Sequence, residues 1–338
     1  MLTYLVRRIA IIIPTLFFVS IIIFGLQQLL PGDPALAMAG EERDPNVIAF
    51  LRHKYHLDEP LPVRYGLWLG GVLHGDLGES LYTNHAVALD LAETFPATFE
   101  LVLVSALLMT AIGIPLGVLA ARGRDGPVDH TLRLAALLGV VTPSFVWAVV
   151  FMLIFSATLG WLPIIGRISN ELGPPRHWTG LFLVDSLLQG DLPRFVDALA
   201  HIALPATALA LAGIGQAARL TRANMVETYG RPYIEAARAY GLSEWRIATR
   251  FALRPALSPV LTVLGLDIAA KLGNAFLVET VFNWPGMARY GVQAMLRKDL
   301  NAIVAVATLM SVLFVAFNIV VDGLVAVIDP KIRIQGRL

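Results

Sequence analysis

Three polar side chains in an otherwise apolar stretch are the first candidates for chemistry. Asp267, Lys271 and Asn274 stand at positions i, i+4 and i+7, which places them on one face of a helix. An acid four residues before a base is also the favourable order for a helical ion pair. Charges at membrane depth are costly and normally face a bundle interior or a water-filled path. The stripe therefore either lines a substrate route or locks two helices together, and its spacing supports both interpretations equally.

A second candidate is a basic segment, residues 219–254, whose turn residues define a short helix. Gly230 and Gly241 can each end a helix, and Pro232 suits the first turn of a helix between them. A partner protein could approach this helix closely, because its central residues are small; the alternative is a loop that packs on its own bundle. The helix carries an acid near its N-terminus, where an acid is favoured, followed by small residues that favour helix: Glu235, Ala236 and Ala237.

Motifs for catalysis and for metal binding are absent or weak. No lysine follows a glycine, so the chain has no Gly-Lys-[Ser/Thr] phosphate loop and no ATP site of that kind. His201 is the only histidine in a long apolar stretch, and it has no convincing nucleophile or base as a partner. His53 and His56 are spaced i, i+3, but no third ligand is near them in sequence. We therefore expect neither an intramembrane enzyme nor a metal centre.

Composition identifies the kind of element that must position these residues. The chain has 338 residues, of which 57% are hydrophobic and 15% charged. Soluble domains are about 45–50% apolar and about 25% charged. The net charge of +1 provides no basic field for nucleic acid, and the absence of cysteine excludes disulfide and thiolate chemistry. An ordinary soluble enzyme is excluded, and a membrane protein is indicated.

Long uncharged stretches predict the membrane-spanning helices. A helix needs about 20 mostly apolar residues to cross a hydrocarbon core of about 30 Å. A sixth apolar stretch, residues 257–278, contains Asp267 and Lys271. The first stretch follows two arginines like a signal peptide, but it is longer than the usual apolar core of about 7–15 residues. We predict an all-α membrane protein with six transmembrane helices. The five uncharged stretches are residues 9–32, 101–121, 134–166, 198–218 and 300–321.

The distribution of basic residues predicts the topology. The alternate segments that include both termini hold 15 Lys and Arg, whereas the other three connecting segments hold 10. Because basic residues favour the cytoplasmic side, both termini are expected in the cytoplasm. The predicted organisation is an N-terminal transmembrane helix in 1–30, an external segment in 31–95, a transmembrane domain in 96–328 and a cytoplasmic tail in 329–338. Within the transmembrane domain we predict an external insert in 161–197 and a cytoplasmic loop in 219–254.

Motifs along the whole chain resemble one family. The pattern Glu235-Ala-Ala-x-x-x-Gly241 resembles the core of the cytoplasmic loop motif in permease subunits of bacterial ABC importers. The proline that usually closes this motif falls one place late, at Pro255, and the run from Ala252 to Pro259 is similar to the peptide-importer branch. The external insert resembles that of dipeptide permeases. Further matching segments are residues 30–34, 74–78, 96–101, 113–121, 279–286 and 329–333.

The resemblance implies a type-1 ABC importer permease fold and a set of partners. These are a second permease, two ATPase subunits that hold ATP and Mg²⁺, an external solute-binding protein and the lipid bilayer of the bacterial inner membrane. This chain would hold no cofactor, bind no nucleic acid and act as a transport subunit, not an enzyme. The resemblance assigns contact with the ATPase subunit to a short coupling helix. Its residues here are Glu235, Ala236, Ala237 and Gly241.

The resemblance also implies a substrate class, and alternatives to it remain open. Dipeptides or short oligopeptides are expected, although permeases for glutathione, nickel and opines share most of the framework. An ion-coupled secondary transporter is a further alternative, which would need no docking helix. The assignment of Asp267, Lys271 and Asn274 to the substrate pathway rests on the helical stripe and not on the resemblance.

Overall fold

The computed structural model describes residues 13–25, 35–36, 44–54 and 56–328. The predicted cytoplasmic tail, the ends of the first predicted helix and the segment 30–34 lie outside the described residues. Apart from an isolated pairing of Glu79 with Ala86, the described residues form helices and loops. The predicted all-α class is therefore confirmed.

The described helices follow one another from α1 to α13 along the chain. The first three, all short, are α1 (Ile13–Gly25), α2 (Pro45–Lys54) and α3 (Leu61–Leu73). The central part consists of α4 (Val87–Arg122), α5 (Pro127–Val141), α6 (Ser144–Thr158), α7 (Phe182–Leu188), α8 (Leu192–Tyr229) and α9 (Pro232–Ala239). The last part consists of α10 (Glu244–Asn274), α11 (Phe276–Val281), α12 (Met287–Leu296) and α13 (Leu300–Ile328).

Four of these helices are long and apolar enough to cross a membrane. They are α4, α8, α10 and, over Leu300–Val321, α13, and each coincides with a predicted stretch. The described part of the first stretch, α1, is a shorter apolar helix. These helices confirm a multi-pass membrane protein, while the number of six spans and the side on which the termini lie stay predictions.

The stretch 134–166, predicted as one span, is broken into two helices. The axes of α5 and α6 are bent by 104°. Between them, Thr142 is extended at ψ 126° and Pro143 precedes the first residue of α6. Proline has no N–H to continue the helix, and it disfavours helical geometry in the residue before it. A lack of charge indicated the span, and the Thr-Pro pair accounts for the bend.

The chain divides into two compact units. One comprises Met1–Glu93 and Tyr290–Val312, and the other comprises Thr94–Arg289 and Leu313–Leu338. Both sequence-predicted sites lie in the second unit. Their positions depend on α8, whose N-terminus is capped by Asp191, which accepts a bond from the backbone N–H of Arg194 at 3.1 Å.

Two glycines allow α4 to approach α8 closely. A Cβ atom built on Gly113 would lie 2.6 Å from the Cβ of Ala217, and one built on Gly117 would lie 2.5 Å from the Cβ of Thr221. Real Cβ atoms do not come so close, so no other residue fits at either position without movement. Small residues at such crossings are typical of packing between membrane helices.

We expect Gly117→Ala to destabilise the protein by about 1–3 kcal/mol, because the added methyl group overpacks this crossing. Gly273→Ala is the matched control, since a Cβ there meets nothing within 4 Å. Alanine also favours helix over glycine by up to about 1 kcal/mol. Thermal unfolding of the purified variants in detergent measures the difference, and equal unfolding temperatures would contradict the proposed tight crossing.

Candidate functional site: a projecting helix and an ion pair on α10

The short helix α9 follows from its flanking residues. Arg231 is extended, Pro232 begins the helix, and Glu235 lies in its first turn. At the other end, the N–H of Leu242 donates to the carbonyl of Ala237 at 3.2 Å, and the N–H of Gly241 donates to that of Arg238 at 2.9 Å. This pair of bonds is a Schellman motif. The motif requires the φ of +75° that Gly241 adopts.

The two faces of α9 have different surroundings. Ile234 and Ala237 are buried in an apolar cluster with Met225 and Ile247. The opposite face is exposed, with Ala236 between two exposed aromatic residues, Tyr233 and Tyr240. Tyr240 is the more exposed of the two, at 87%. The helix is therefore fastened to its own bundle on one side and presents a small aromatic surface on the other.

Charged pairs brace the segment on both sides of α9. Arg231 Nη2 lies 2.7 Å from Glu227 Oε1, and Arg238 Nε lies 2.8 Å from Glu244 Oε1. All four side chains are exposed, so each pair contributes little to stability.

Of the predicted coupling residues, Glu235, Ala236 and Gly241 are exposed and Ala237 faces the core.

The structure brings Asp267 and Lys271 together, whereas Asn274 is exposed at the end of α10. Lys271 is buried, and its Nζ lies 3.1 Å from Asp267 Oδ2 while donating to the carbonyl of Leu209 at 3.0 Å. Asp267 keeps a quarter of its side chain exposed. Asn274, the last residue of α10, is exposed. Lys271 thus bridges α10 and α8, while the acid is partly accessible and the amide is exposed.

Two ion pairs with buried carboxylates are not indicated by the sequence. Arg167 Nη2 lies 2.6 Å from Glu100 Oε2, and both side chains are almost fully buried. Arg222 holds both carboxylate oxygens of Asp129, at 2.5 and 2.6 Å. The partners are separated by 67 and 93 residues. Because the partners are so far apart along the chain, no local spacing could indicate either pair.

The Arg167–Glu100 pair fastens the insert 161–197, which is predicted to be external, to α4. Glu100 also accepts the N–H of Leu183 at 2.8 Å, while Arg167 donates to the carbonyl of Gly180 at 3.0 Å. The guanidinium group lies 3.7 Å from the ring centroid of Phe182. Both carboxylate oxygens of Glu100 thus accept a hydrogen bond, whereas the Nε of Arg167 is buried without a hydrogen-bond partner. The insert is thereby held as an ordered cap within the second unit.

A buried carboxyl group organises the segment 279–289. Glu279 accepts a bond from Thr98 Oγ1 at 2.6 Å and one from the N–H of Arg289 at 2.8 Å. Thr98 in turn accepts the N–H of Met287 at 2.8 Å. Burial raises the pKa of Glu279 to about 7, although these hydrogen bonds act in the opposite direction.

The raised pKa of Glu279 predicts that the protein loses stability as the pH rises toward 7. Between its ordinary pKa of 4.5 and about 7, the folded protein holds a proton that the unfolded chain has lost. This proton stabilises the folded protein by about 3 kcal/mol at a pH below 4.5. The stabilisation decreases as the pH rises from 4.5 and is lost once the pH exceeds about 7. In Glu279→Gln the stability should depend less on pH, as measured by the unfolding temperature at a series of pH values. Parallel profiles for both proteins would refute the prediction.

Fold and site together define a class: a multi-pass helical membrane protein with a short capped helix projecting beside α10 and with no phosphate-binding loop in its sequence. Residues 113–334 match the model of the family described as binding-protein-dependent transport system inner membrane component. Residues 1–102 match the N-terminal model of the same transport systems. The chain belongs to this family of ABC importer permeases. It is a transport subunit without an ATPase site of its own.

Curated relatives match over nearly the full length. The di/tripeptide transport system permease protein DppB of Pseudomonas aeruginosa is 39% identical, over 99% of this chain and all of the relative. The probable D,D-dipeptide transport system permease protein DdpB of Escherichia coli is 41% identical over 94% of each chain. The dipeptide transport system permease protein DppB of Escherichia coli is 37% identical over 98% of this chain and 99% of the relative.

A solved structure supports the fold. A chain of the MetNI methionine ABC transporter, in an inward-facing conformation, superposes with a TM-score of 0.51. The match covers 69% of this chain and 93% of that chain, at 19% sequence identity. The predicted type-1 ABC importer permease fold is confirmed by this likeness and by the family match.

Proposed function

We propose that this chain imports dipeptides or short oligopeptides as one permease subunit of an ATP-driven transporter. The observation that carries the proposal is the end-to-end similarity to relatives named as di/tripeptide and D,D-dipeptide permeases. The chemistry of the chain agrees with it, because a peptide zwitterion can interact with both an acid and a base, and α10 carries both in Asp267 and Lys271.

The proposed assembly contains partners that supply energy and substrate. A second permease completes the translocation path, and an external solute-binding protein delivers the peptide. Two ATPase subunits bind ATP and Mg²⁺ on the cytoplasmic side of the bacterial inner membrane. To shift a two-state population decisively, ATP must favour one conformation by several kcal/mol. Since the chain has no phosphate-binding loop, that energy has to reach it through protein contacts.

The contact that receives this energy is proposed to be α9. Glu235 and Ala236 are accessible to a partner, while Ala237 fastens the helix to the apolar cluster beneath it. Gly241 allows the Schellman turn that leads directly into α10. A displacement of α9 would thus be passed to a membrane-spanning helix through its buried face and its C-terminal turn.

The substrate pathway is proposed to include Asp267, Lys271 and Asn274. Asp267 and Asn274 are accessible for a direct contact. Lys271 is buried and bonded to Leu209, so it would act by positioning Asp267 and holding α10 against α8. An ion pair that only locks the two helices is the competing interpretation of the same geometry.

We expect Asp267→Asn to lower transport more than tenfold while the assembled transporter still reaches the membrane. The amide removes the charge that faces the pathway but retains the shape and one hydrogen-bonding oxygen. Asp191→Asn is a suitable control, because asparagine caps a helix as well as aspartate does. Uptake of labelled dipeptide is divided by the amount of membrane-bound protein. Loss of protein in proportion to uptake would instead favour the helix-locking interpretation.

The proposed function is tested by reconstitution with the candidate partners. The permease pair, ATPase subunits and binding protein are placed in vesicles, and uptake of a labelled dipeptide is measured with and without ATP. ATP-dependent uptake that glutathione, nickel and opines do not compete with is the expected result. Competition by one of these solutes would contradict the peptide assignment and identify that solute as the substrate. Uptake that follows an ion gradient without ATP would identify a secondary transporter.

A further inference from the structure

Three arginines form a line where α10 begins. Arg246, Arg250 and Arg254 are spaced four residues apart, so they are neighbours along one side of the helix. All three are exposed. None of their guanidinium groups has an ion-pair or hydrogen-bond partner among the described residues, whereas Arg231 and Arg238 nearby are paired with acids. This cationic line therefore remains available for an external anion.

The length of α10 indicates the depth of this line in the membrane. Its regular α-helical part, Leu253–Asn274, has 22 residues, which span about 33 Å at about 1.5 Å per residue. That length is close to the hydrocarbon thickness of about 30 Å. Arg254 is the second residue of this part, so a hydrocarbon layer that coincides with the part would end at Arg254. On this placement Arg250 and Arg246 are one and two turns further out, at the depth of the lipid head groups.

An aromatic contact at the same depth supports this placement. Trp245, which precedes the arginine line, is exposed, and the guanidinium group of Arg122 lies 5.0 Å from its ring centroid. Arg122 is the last residue of α4, so the ends of two membrane-spanning helices meet here. Tryptophan is enriched at the interface between membrane and water. Both helix ends carry cations beside it.

We propose that Arg246, Arg250 and Arg254 bind the phosphate head group of an anionic phospholipid in the cytoplasmic leaflet. Guanidinium groups bond phosphate oxygens in pairs and keep their charge at any physiological pH. Basic clusters beside a membrane helix attract anionic lipid. The line begins directly after α9 and its Schellman turn, so the bound head group holds the docking helix at a constant depth below the membrane.

The primary test is the lipid that remains with the purified complex. The transporter is extracted from an equimolar mixture of phosphatidylglycerol and phosphatidylcholine, and the retained ratio is measured by mass spectrometry. The triple variant Arg246→Gln, Arg250→Gln, Arg254→Gln should lower the preference for phosphatidylglycerol ten- to a hundredfold. The matching triple substitution to lysine should retain most of it, because the charge remains. Arg124→Gln, which removes another exposed arginine, should leave the ratio unchanged.

The functional test compares ATP hydrolysis by the assembled transporter in two kinds of vesicle. Wild-type activity should be higher in the equimolar mixture than in pure phosphatidylcholine, and the glutamine variant should lose this difference.

Unchanged lipid retention in the glutamine variant would overturn the proposal. So would loss of the ATPase subunits from that variant with lipid retention intact, since the line would then bind protein. Restoration of wild-type activity in phosphatidylcholine by inorganic phosphate would also overturn it. Lipid retention does not depend on the transported solute, so failure of the peptide assignment leaves this test intact.

Discussion

Gly241→Trp is expected to abolish ATP-driven uptake while the protein still inserts into the membrane. Gly241 adopts a φ of +75° in the Schellman turn after α9. An L-residue in this left-handed region costs roughly 1–2 kcal/mol, and the indole ring would project from the exposed side of the turn, where a Cβ meets nothing within 4 Å. The bundle can therefore accommodate the side chain, but an ATPase subunit docked on α9 cannot.

The structure offers a closely matched control for this prediction. Gly190 follows α7 in the same kind of Schellman turn, with a φ of +70° and nothing within 4 Å of an added Cβ. Gly190→Trp therefore carries the same strain and the same bulk, on the side predicted to be external. It should retain the ATPase subunits during purification, whereas Gly241→Trp should lose them.

A third variant separates strain from bulk. Asparagine tolerates the left-handed conformation, so Gly241→Asn should retain most of the uptake and all of the ATPase binding. Copurification of the ATPase subunits and the dependence of ATP hydrolysis on the binding protein are the measurements. Normal uptake by Gly241→Trp would refute the coupling assignment, and equal losses in the two tryptophan variants would point to strain alone.

Arg167→Met is expected to destabilise the second unit by about 3–5 kcal/mol. The substitution leaves the carboxylate of Glu100 buried without its cationic partner. The N–H of Leu183 remains as its hydrogen-bond donor. An unpaired buried charge is far more costly than the loss of the pair as a whole. The insert 161–197, which Arg167 also fastens through Gly180 and Phe182, should then open and become sensitive to protease.

The double variant Glu100→Gln, Arg167→Met should recover much of this loss, because it leaves no buried charge. Arg124→Met is the control for an exposed pair, since Arg124 and Asp125 are both largely solvated, and it should change stability by less than about 1 kcal/mol. The coupling between the two sites is measured by the unfolding temperatures, in detergent, of the wild type, Glu100→Gln, Arg167→Met and the double variant. A double variant no more stable than Arg167→Met would show that charge pairing is not the cause.

Local features of the fold could be predicted because each depends on a few adjacent residues. The positions of α4, α8 and α13 followed from uncharged stretches, since hydrocarbon excludes charge whatever the neighbouring helices are. The bounds of α9 followed from Gly230, Pro232 and Gly241, whose backbone chemistry ends or begins a helix locally. The break between α5 and α6 was not predicted, because the length of an uncharged stretch gives no information on the bend that Pro143 causes.

The burial of the polar residues could not be predicted in the same way. The spacing of Asp267 and Lys271 indicated an ion pair but not that Lys271 would be buried and would also donate to the carbonyl of Leu209 on another helix. Glu100 and Arg167 each border an uncharged stretch, and nothing in their spacing connects them. Such partners are chosen by the packing of helices that are distant along the chain.

The sequence alone determined that this protein crosses a membrane, that a short helix lies between two glycines in its most basic segment, and that no phosphate-binding loop is present. These features depend on composition and on local backbone chemistry. Only the tertiary structure decided which face of α9 is exposed, which charges are paired, and which arginines of α10 have no partner among the residues that it describes. Those outcomes depend on contacts between residues far apart in the chain, because a side chain's exposure and its electrostatic partner are set by the helices that pack around it.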